Sequence, residues 1–430
     1  MNIDKDYLTK FFFKCFILFL PFDSFPLPFL NSVYRPLSIL PVLSIFLLHL
    51  KSFIPSRKIN LFFFVAYVAI ISISIYNSFF LNIYDGLFKF LFELLILYIT
   101  YQSLIICYLN IKSEDFNLII KQSINVVIKL FIIIGLLQLT SRFFSSLNLL
   151  TNLINSLFSY RNDITRIQFF SGEPSMGFRM IILFLSLYIF INKGLSLSKI
   201  NFLLISLLLL LSGSTFGIFY LFLYFFSILF IYCIYNKIKI YYFFKYLFIL
   251  FLSITLFYIF LFDLLPNYTQ NKINISLNII KSLSFDKLLF YSQMDGSLFL
   301  RIFNPIIGYK IFLDNWVFGI GGENYQYYYL NYIIKYYNYA LSYNSVIDVF
   351  ITKNSITPKS LIIKLLCEFG LIGFSICFYL FRNVLFIAKK SLFIYPLASY
   401  FIVTTINYDS YIYMPLIFTF FILNYHKNYD

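Results

Sequence analysis

The sequence predicts an all-α polytopic membrane protein with about 12 transmembrane helices and a large, partly helical loop on the outer face. Of its 430 residues, 61% are hydrophobic and only 12% are charged, which leaves too little polar surface for a water-soluble domain. Apolar runs of roughly 20 residues recur, and such a run crosses a bilayer as a helix because a helix pairs its own backbone groups. Most Lys and Arg residues lie in the short turns between these runs, so the net charge of +15 does not indicate a nucleic-acid partner.

The apolar runs give the predicted spans in order. Nine precede the large loop, at about residues 9–27, 37–54, 59–81, 86–109, 124–141, 175–192, 200–213, 215–236 and 243–265. Three follow it, at about 359–381, 384–404 and 408–425. The predicted organisation is residues 1–265 with spans 1–9 and an outer loop at 142–174, residues 266–357 as the large outer loop, and residues 358–430 with spans 10–12. The apolar stretch from Phe144 to Tyr160 is expected to lie along the membrane surface.

The cations alternate between two sets of turns. With the N-terminus on the cytoplasmic side, the inner turns hold groups such as Lys51, Arg57 and Lys58. The outer turns at 82–85 and 212–214 carry no cation. Lys and Arg collect on the cytoplasmic side of a membrane, so both termini are predicted inside and both long loops outside.

Two lysine–glutamate pairs fall inside apolar runs, namely Lys89 with Glu93 and Lys364 with Glu368. Their four-residue spacing places both members of a pair on one face of a helix. Two interpretations are open. Each pair neutralises itself near the outer interface, or the groups line a polar cavity, because ionisable groups at membrane depth are often functional.

The first outer loop carries one set of candidate site residues. Pro174 suits the first turn of the next helix, and Glu173 before it is a favourable carboxylate at a helix N-terminus. Arg166 fits a diphosphate, whose oxygens a guanidinium grips with two hydrogen bonds, although an arginine here can also extend to lipid headgroups. Arg179, one turn into the span, is a further candidate for the same phosphate, and Arg161 belongs to the same segment.

The large loop carries a second set. Residues 301–313 predict an amphipathic helix with Arg301 near its start, followed by a Gly-rich turn that ends at Glu323. Such a turn either cradles phosphate or is only a tight turn. The tyrosine-rich stretch that begins at Tyr325 suits a membrane interface or a sugar-stacking face. Lys310, Glu323 and Tyr325 are therefore candidate substrate-binding residues.

The last candidate site residue lies at the start of span 10, where Lys359 is either a site residue or a lysine that extends to the interface.

Several motifs typical of metal-binding and ATP-binding proteins are missing. His49 and His426 both lie on the predicted inner side, and the sole Asp-x-Asp is in the N-terminal tail at Asp4. No Gly-x-x-x-x-Gly-Lys motif occurs, and the five cysteines lie in or beside apolar runs. The sequence therefore favours neither a metal-dependent nucleotide-sugar transferase nor an ATP-driven transporter, and no metal or cofactor is expected.

Five features, taken in order, carry a family resemblance. They are Arg166 with Gly177 after ten intervening residues, the segment Phe170–Ser175, the Ser/Thr-rich break Ser212–Gly217, Arg301 followed by Gly319-Ile320-Gly321, and Lys359-Ser360 followed by Glu368-Phe369-Gly370-Leu371-Ile372-Gly373. With the predicted topology, they resemble the Wzy-type O-antigen polymerase and O-antigen ligase superfamily over nearly the whole chain.

The resemblance implies an inner-membrane glycosyltransferase that joins undecaprenyl-diphosphate-linked oligosaccharide units on the periplasmic face, with no metal. It implies Arg166 and Arg301 as diphosphate clamps that meet above a lipid-filled groove. Glu173 or Glu368 would orient them or activate the acceptor hydroxyl, and Lys359 would assist. The implied partners are lipid-linked glycans, membrane lipids and a chain-length regulator protein.

Within the superfamily, Lys359 stands where the ligases carry a histidine held to be catalytic. This departure favours a polymerase and leaves a ligase as the second interpretation. A lipid-linked oligosaccharide flippase is a third, but the chain shows no internal repeat and keeps its charge at the outer mouth of the bundle.

Overall fold

The computed structural model describes most of the chain. The described residues are 5–23, 36–50, 61–82, 84–141, 143–158, 167–171, 173–194, 198–212, 214–236, 285–293, 296–344, 346–347 and 356–425, with isolated positions between 237 and 284. Within these ranges, the regular elements are helices. The all-α class predicted from the apolar runs is therefore confirmed for this part of the chain.

The helices follow the predicted spans and outer segments. In chain order they are α1 (Lys5–Phe19), α2 (Ile39–Leu48), α3 (Leu61–Leu81), α4 (Asp85–Asn110), α5 (Ser113–Thr140), α6 (Asn148–Phe158), α7 (Pro174–Ile191), α8 (Lys199–Leu211), α9 (Thr215–Tyr235), α10 (Phe285–Ser292), α11 (Gly296–Asp314), α12 (Tyr325–Tyr336), α13 (Leu361–Ala388), α14 (Tyr395–Asn407) and α15 (Met414–Tyr425).

Four of these helices, α4, α5, α7 and α13, are long and apolar enough to cross a membrane, and several shorter apolar helices accompany them. A polytopic membrane protein is consistent with this pattern, whereas the number of twelve spans stays a prediction. The predicted boundary between spans 10 and 11 is wrong, because α13 continues to Ala388 and α14 begins only at Tyr395. The predicted span 243–265 lies almost entirely outside the described residues.

The bundle is organised around α14. Its residues Leu397, Ala398 and Tyr400 have no exposed surface, and the helix packs against α7, α9, α13 and α15. These contacts cover most of α14, whose Ile406 near the C-terminal end stays 42% exposed. The two ends of α14 are therefore fixed, and the turn that follows its last residue, Asn407, is held beside the first turns of α7 and α13.

The large outer segment has its own small core. The buried residues of α11 recur every four positions, which is the spacing of one helix face, and they pack against buried tyrosines of α12. These side chains are Phe299, Phe303, Ile307, Ile311, Tyr325 and Tyr329. Cys367 of α13 belongs to the same core, so the outer segment is attached directly to a membrane helix.

The turn after α11 fits into a break in α13. Gly370 has φ 56° and ψ −128°, a conformation that only glycine adopts readily, and it interrupts the helix. The amides of Ile320 and Gly321 donate to the carbonyls of Cys367 and Glu368 at 3.0 and 2.8 Å, and the Leu371 amide donates to Val317 at 3.2 Å. Backbone groups left unpaired by the break are thus satisfied by the turn.

Gly370→Ala is expected to destabilise the folded chain by about 2–3 kcal/mol, because alanine is strained at this φ. A Cβ atom there would also lie 2.5 Å from the Trp316 carbonyl oxygen. The midpoint of thermal unfolding of the purified full chain, at a fixed scan rate, checks this. Leu371→Ala, at a neighbouring half-exposed position, is the control, and equal midpoints for the two variants would contradict the prediction.

Candidate functional site

The candidate site begins at the first turn of α7. Pro174 occupies the first helical position, as predicted, and Glu173 precedes it with an extended backbone. The Glu173 carbonyl accepts hydrogen bonds from the amides of Met176 and Gly177 at 3.0 and 3.2 Å. This cap fixes Glu173 and Ser175 at the end of the bundle from which α11 approaches.

Arg301 of α11 reaches this turn. Its Nη2 atom lies 3.6 Å from Glu173 Oε2 and donates to Ser175 Oγ at 3.5 Å. Its guanidinium carbon lies 3.7 Å from the centre of the Phe216 ring, at the start of α9, which is a close cation–π contact. The side chain is only 19% exposed. Arg301 is therefore a partly desolvated cation with one carboxylate beside it.

Arg179 lies one turn below and is fully buried. Its Nε atom donates to the Ser175 carbonyl at 3.3 Å, and its guanidinium carbon lies 4.8 Å from the Tyr408 ring and 5.8 Å from the Phe216 ring. Its Nη1 atom is buried and has no hydrogen-bond partner among the described residues. A buried guanidinium with an unused donor is costly unless an acceptor arrives, and an anionic oxygen is the acceptor it fits best.

Arg179 and Arg301 therefore meet around one ring, Phe216, and one residue, Ser175. We call these four residues with Glu173 the arginine site. The sequence paired Arg301 with Arg166, but Arg166 and Arg161 lie outside the described residues. Within the described chain, the second guanidinium of the site is that of Arg179.

The turn between α14 and α15 completes the site, and the sequence analysis missed it. Tyr408 contacts Arg179 and packs on Tyr413 with 4.1 Å between ring centres, while Tyr411 Oη donates to Glu368 Oε2 at 2.6 Å. Asp409 Oδ2 accepts the backbone amide of Lys359 at 2.8 Å. An aspartate among tyrosines, in a turn between two apolar runs on the predicted outer side, was the available signal.

Asp409 holds Lys359 in a strained conformation. The φ of Lys359 is 59°, which is uncommon for a residue with a side chain, and such strain is often found at functional positions. Burial raises the pKa of Asp409, but the positive charges of Lys359 and Lys364 outweigh it and hold the pKa below its usual value. Asp409 is therefore an ionised carboxylate at neutral pH, beside the candidate Lys359.

Asp409→Ala is expected to lower activity by at least about 10-fold, because it frees the Lys359 backbone and leaves Lys359 without its anion. Asp409→Asn keeps an oxygen that accepts the amide, so it is expected to retain more activity than Asp409→Ala. The catalytic rate of the purified protein checks both variants. Equal losses would show that the charge matters and the amide hydrogen bond does not.

A buried ion cluster connects the outer segment to two membrane helices. Glu323, whose φ is 60°, accepts hydrogen bonds from Lys89 of α4 and Lys364 of α13. Burial raises the pKa of Glu323, but the two ammonium groups outweigh it and hold the pKa below its usual value. Of the two interpretations left open by the sequence, the self-neutralising pair within each helix does not form, because both lysines bond to Glu323 instead.

Glu368 belongs to this ion cluster. Its side chain is fully buried, and its Oε1 atom has no partner among the described residues. Its Oε2 atom accepts a hydrogen bond from the Tyr411 hydroxyl, and Lys364 and Glu323 also act on it, so Glu368 is placed in the ion cluster and not in the arginine site. Glu173 is the glutamate that meets Arg301.

Two predicted substrate-binding residues belong to the outer segment. Tyr325 is 1% exposed and donates its hydroxyl to the Asn304 carbonyl at 2.8 Å, so its ring belongs to the core of the outer segment and is not open to a sugar. Lys310 lies over the Tyr336 ring, with 5.3 Å from Nζ to the ring centre. The position of Tyr325 differs from the prediction because local composition does not distinguish a core tyrosine from an exposed one, whereas a substrate-binding role for Lys310 stays a prediction.

The chain was compared with known proteins. Residues 200–378, roughly two fifths of the chain, match a family described as O-antigen ligase. No curated protein and no solved structure gives a significant match. The matched residues run from α8 into α13 and include Arg301, Glu323, Lys359 and Glu368. The match confirms the resemblance found in the sequence, because a hit to this family over residues 200–378 is consistent with the O-antigen polymerase and ligase superfamily.

Proposed function

We propose that this protein is an O-antigen polymerase that joins undecaprenyl-diphosphate-linked oligosaccharide units in the bacterial inner membrane. The observation that carries the proposal is the meeting of Arg179 and Arg301 around Ser175 and Phe216. Two guanidinium groups held around the same residues, with Arg179 Nη1 buried and unused as a donor among the described residues, fit the phosphates of a lipid diphosphate. The family match supports an enzyme of the glycosyltransferase and ligase type.

The reaction transfers a growing glycan from its lipid diphosphate to a new lipid-linked unit. The bond between the anomeric carbon and the diphosphate oxygen breaks, and the acceptor hydroxyl oxygen forms the new bond and loses its proton. Negative charge develops on the leaving diphosphate, where the arginine donors stabilise it without a metal. Glu173 holds Arg301 in place before substrate binds, as its contact with Nη2 indicates.

The acceptor proton needs a base near the leaving group. Asp409 is an ionised carboxylate beside Lys359, and its neighbour Tyr408 contacts Arg179. We assign Asp409 to orienting Lys359 or accepting this proton. Lys359 adds positive charge at the mouth of the site. Glu323 and Glu368 have a structural part in this scheme, because both lie in the ion cluster.

A ligase is the second candidate, and the description of the matched family favours it. The residue at the start of α13 favours the polymerase, because Lys359 occupies the place of the ligase histidine. Both candidates use the same donor and the same arginine site. They differ in the acceptor, which is a second lipid-linked unit for the polymerase and the lipid core for the ligase.

The location belongs to the same proposal. The distribution of Lys and Arg between turns supports a protein of the inner membrane with both termini in the cytoplasm and the arginine site on the periplasmic face. Its partners would then be the lipid-linked glycans, the surrounding lipids and a chain-length regulator protein.

Deletion of the coding sequence in the native bacterium tests the function, with the wild-type chain returned on a plasmid as control. Loss of a polymerase leaves single oligosaccharide units on the lipid core. Loss of a ligase leaves free polymer that never reaches the core, and loss of a flippase leaves neither product. Long-chain ladders that persist in the deletion strain would overturn the proposal.

A further inference from the structure

Gln138 is a buried amide that makes four hydrogen bonds away from the arginine site. Its Nε2 atom donates to Asn155 Oδ1 and to the Phe169 carbonyl, both at 3.0 Å. Its Oε1 atom accepts the amides of Gln168 and Phe169 at 3.1 and 2.8 Å. The side chain is 3% exposed. A single α5 residue therefore ties the segment 167–171 to α5 and to α6.

The segment held by Gln138 is strained and closely packed. Phe169 has φ 58°, which a residue with a side chain rarely adopts. On the other side, a Cβ atom on Gly177 of α7 would lie 2.7 Å from the Gln168 carbonyl oxygen, so only glycine permits this approach. The segment lies against the first turn of α7, and the next described residue after it is Glu173.

In α6 the polar residues Thr151 and Asn155 face the protein and leucines face outward, which is the reverse of a helix at a water surface. Its polar residues Thr151 and Asn155 are 2% and 4% exposed, whereas Leu149 and Leu153 are 75% and 61% exposed. A helix that buries its polar face in protein and presents leucines outward is stable beside lipid, not beside water. Leu150 on the same helix is 46% exposed as well. The expectation that Phe144–Tyr160 lies along the membrane surface stays a prediction.

We propose that Gln138 is a positioning residue for the arginine site and that α6 is a bilayer-facing helix that supports it through Asn155. The role of Gln138 rests on the proposed function, because it is defined by the diphosphate that Arg179 and Arg301 bind. Gln138 fixes the backbone at 168–169 against α7, and α7 presents Glu173 and Ser175 to the arginines. A shift of about 1 Å in such a supporting segment is enough to change activity by about 100-fold.

The test uses the full chain in lipid nanodiscs and two measurements. Hydrogen exchange of segment 167–171 reports on positioning without any ligand, and titration with undecaprenyl diphosphate reports on the site. The variants are Gln138→Leu and Asn155→Leu. The matched control is Asn152→Leu, the same change on the same helix, at a residue whose Oδ1 atom is buried without a partner among the described residues.

Gln138→Leu is expected to speed exchange in 167–171 and to weaken diphosphate binding, each by at least about 10-fold. Asn155→Leu, which removes one of the four hydrogen bonds, is expected to have a smaller effect in the same direction, and Asn152→Leu none. Wild-type exchange and affinity in Gln138→Leu would overturn the proposal. If Gln138→Leu does not accumulate, Asn155→Leu decides by the same criteria.

The same measurements distinguish a failure of the proposed function from a failure of the role assigned to Gln138. If the wild-type chain does not bind undecaprenyl diphosphate, the proposed function is wrong, while the exchange measurement still decides whether Gln138 holds the segment. A photo-crosslinking amino acid at Leu153 tests α6 and is expected to label lipid. Labelling of protein alone, or no labelling in nanodiscs, would overturn the bilayer-facing assignment.

Discussion

Arg301→Ala is expected to reduce glycan transfer by about 100- to 1,000-fold, which in cells leaves single units in place of long-chain polymer. Arg301 is the more exposed guanidinium of the arginine site and stands where a diphosphate can enter. Its loss removes a charged donor from the leaving group and leaves Glu173 without its described cation. The loss is expected in turnover as well as in binding, because the diphosphate is already anionic when bound and gains further negative charge as the bond breaks.

Two further variants sharpen this prediction. Arg301→Lys keeps the charge but loses the planar fork, so its activity is expected to fall between those of wild type and Arg301→Ala. Lys335→Ala removes an exposed cation of the same outer segment, paired with Asp314 at 2.8 Å, and is expected to have little effect. The initial rate of glycan transfer is measured for all three variants with purified protein, at matched membrane levels. Normal rates in Arg301→Ala would remove the arginine site from the mechanism.

The sequence contained the elements of the fold but not all of their ends. Spans such as α5 and α7 are readable because their length and hydropathy are local properties. The cap at Glu173 and Pro174 is readable for the same reason, since it depends on adjacent residues. The break at Gly370 was not read, because the backbone groups that satisfy it come from the turn at 315–321, nearly fifty residues earlier.

The site was predicted in part. Arg301, Glu173 and Arg179 were recognised by residue type beside a helix start, and the structure brings them together around Ser175. The turn containing Asp409 was missed because its partner Lys359 is 50 residues away and the contact uses a backbone amide. Such a contact leaves no pattern in a single sequence.

The ion cluster shows most clearly why local spacing misled. Lys89 and Glu93 have the spacing of a helix pair, and so do Lys364 and Glu368. Each lysine instead bonds to Glu323, which is 234 residues from one and 41 from the other. An ion pair within one helix at the surface contributes only about 0.2–0.5 kcal/mol of stability. The lysines therefore bond to the buried carboxylate of Glu323, which is better placed.

Glu323→Gln is expected to be the most destabilising single change among those considered, at about 3 kcal/mol. The Glu323 side chain is 7% exposed and that of Lys364 is 3% exposed, so the variant leaves a buried ammonium without its carboxylate. Removing one partner of a buried pair typically costs about 3–5 kcal/mol. The lower end applies here, because Glu93 and Glu368 each have a buried oxygen without a partner in the described chain and lie close enough to act on Lys364. Lys89 is 41% exposed and keeps its hydration.

A double variant separates charge from shape. Glu323→Gln with Lys364→Met removes both buried charges, and it is expected to recover part of the lost stability because no buried ammonium is left without a carboxylate. Asp314→Asn at the exposed pair with Lys335 is the control, with an expected change below about 1 kcal/mol. Unfolding midpoints of the purified full chain measure the series. If the double variant is no more stable than Glu323→Gln, the lost stability comes from the backbone of the turn, where Glu323 has φ 60°, and not from the unpaired lysine.

In either case the turn that carries Glu323 also fills the break in α13. Loosening this turn is therefore expected to loosen the start of α13, where Lys359 meets Asp409.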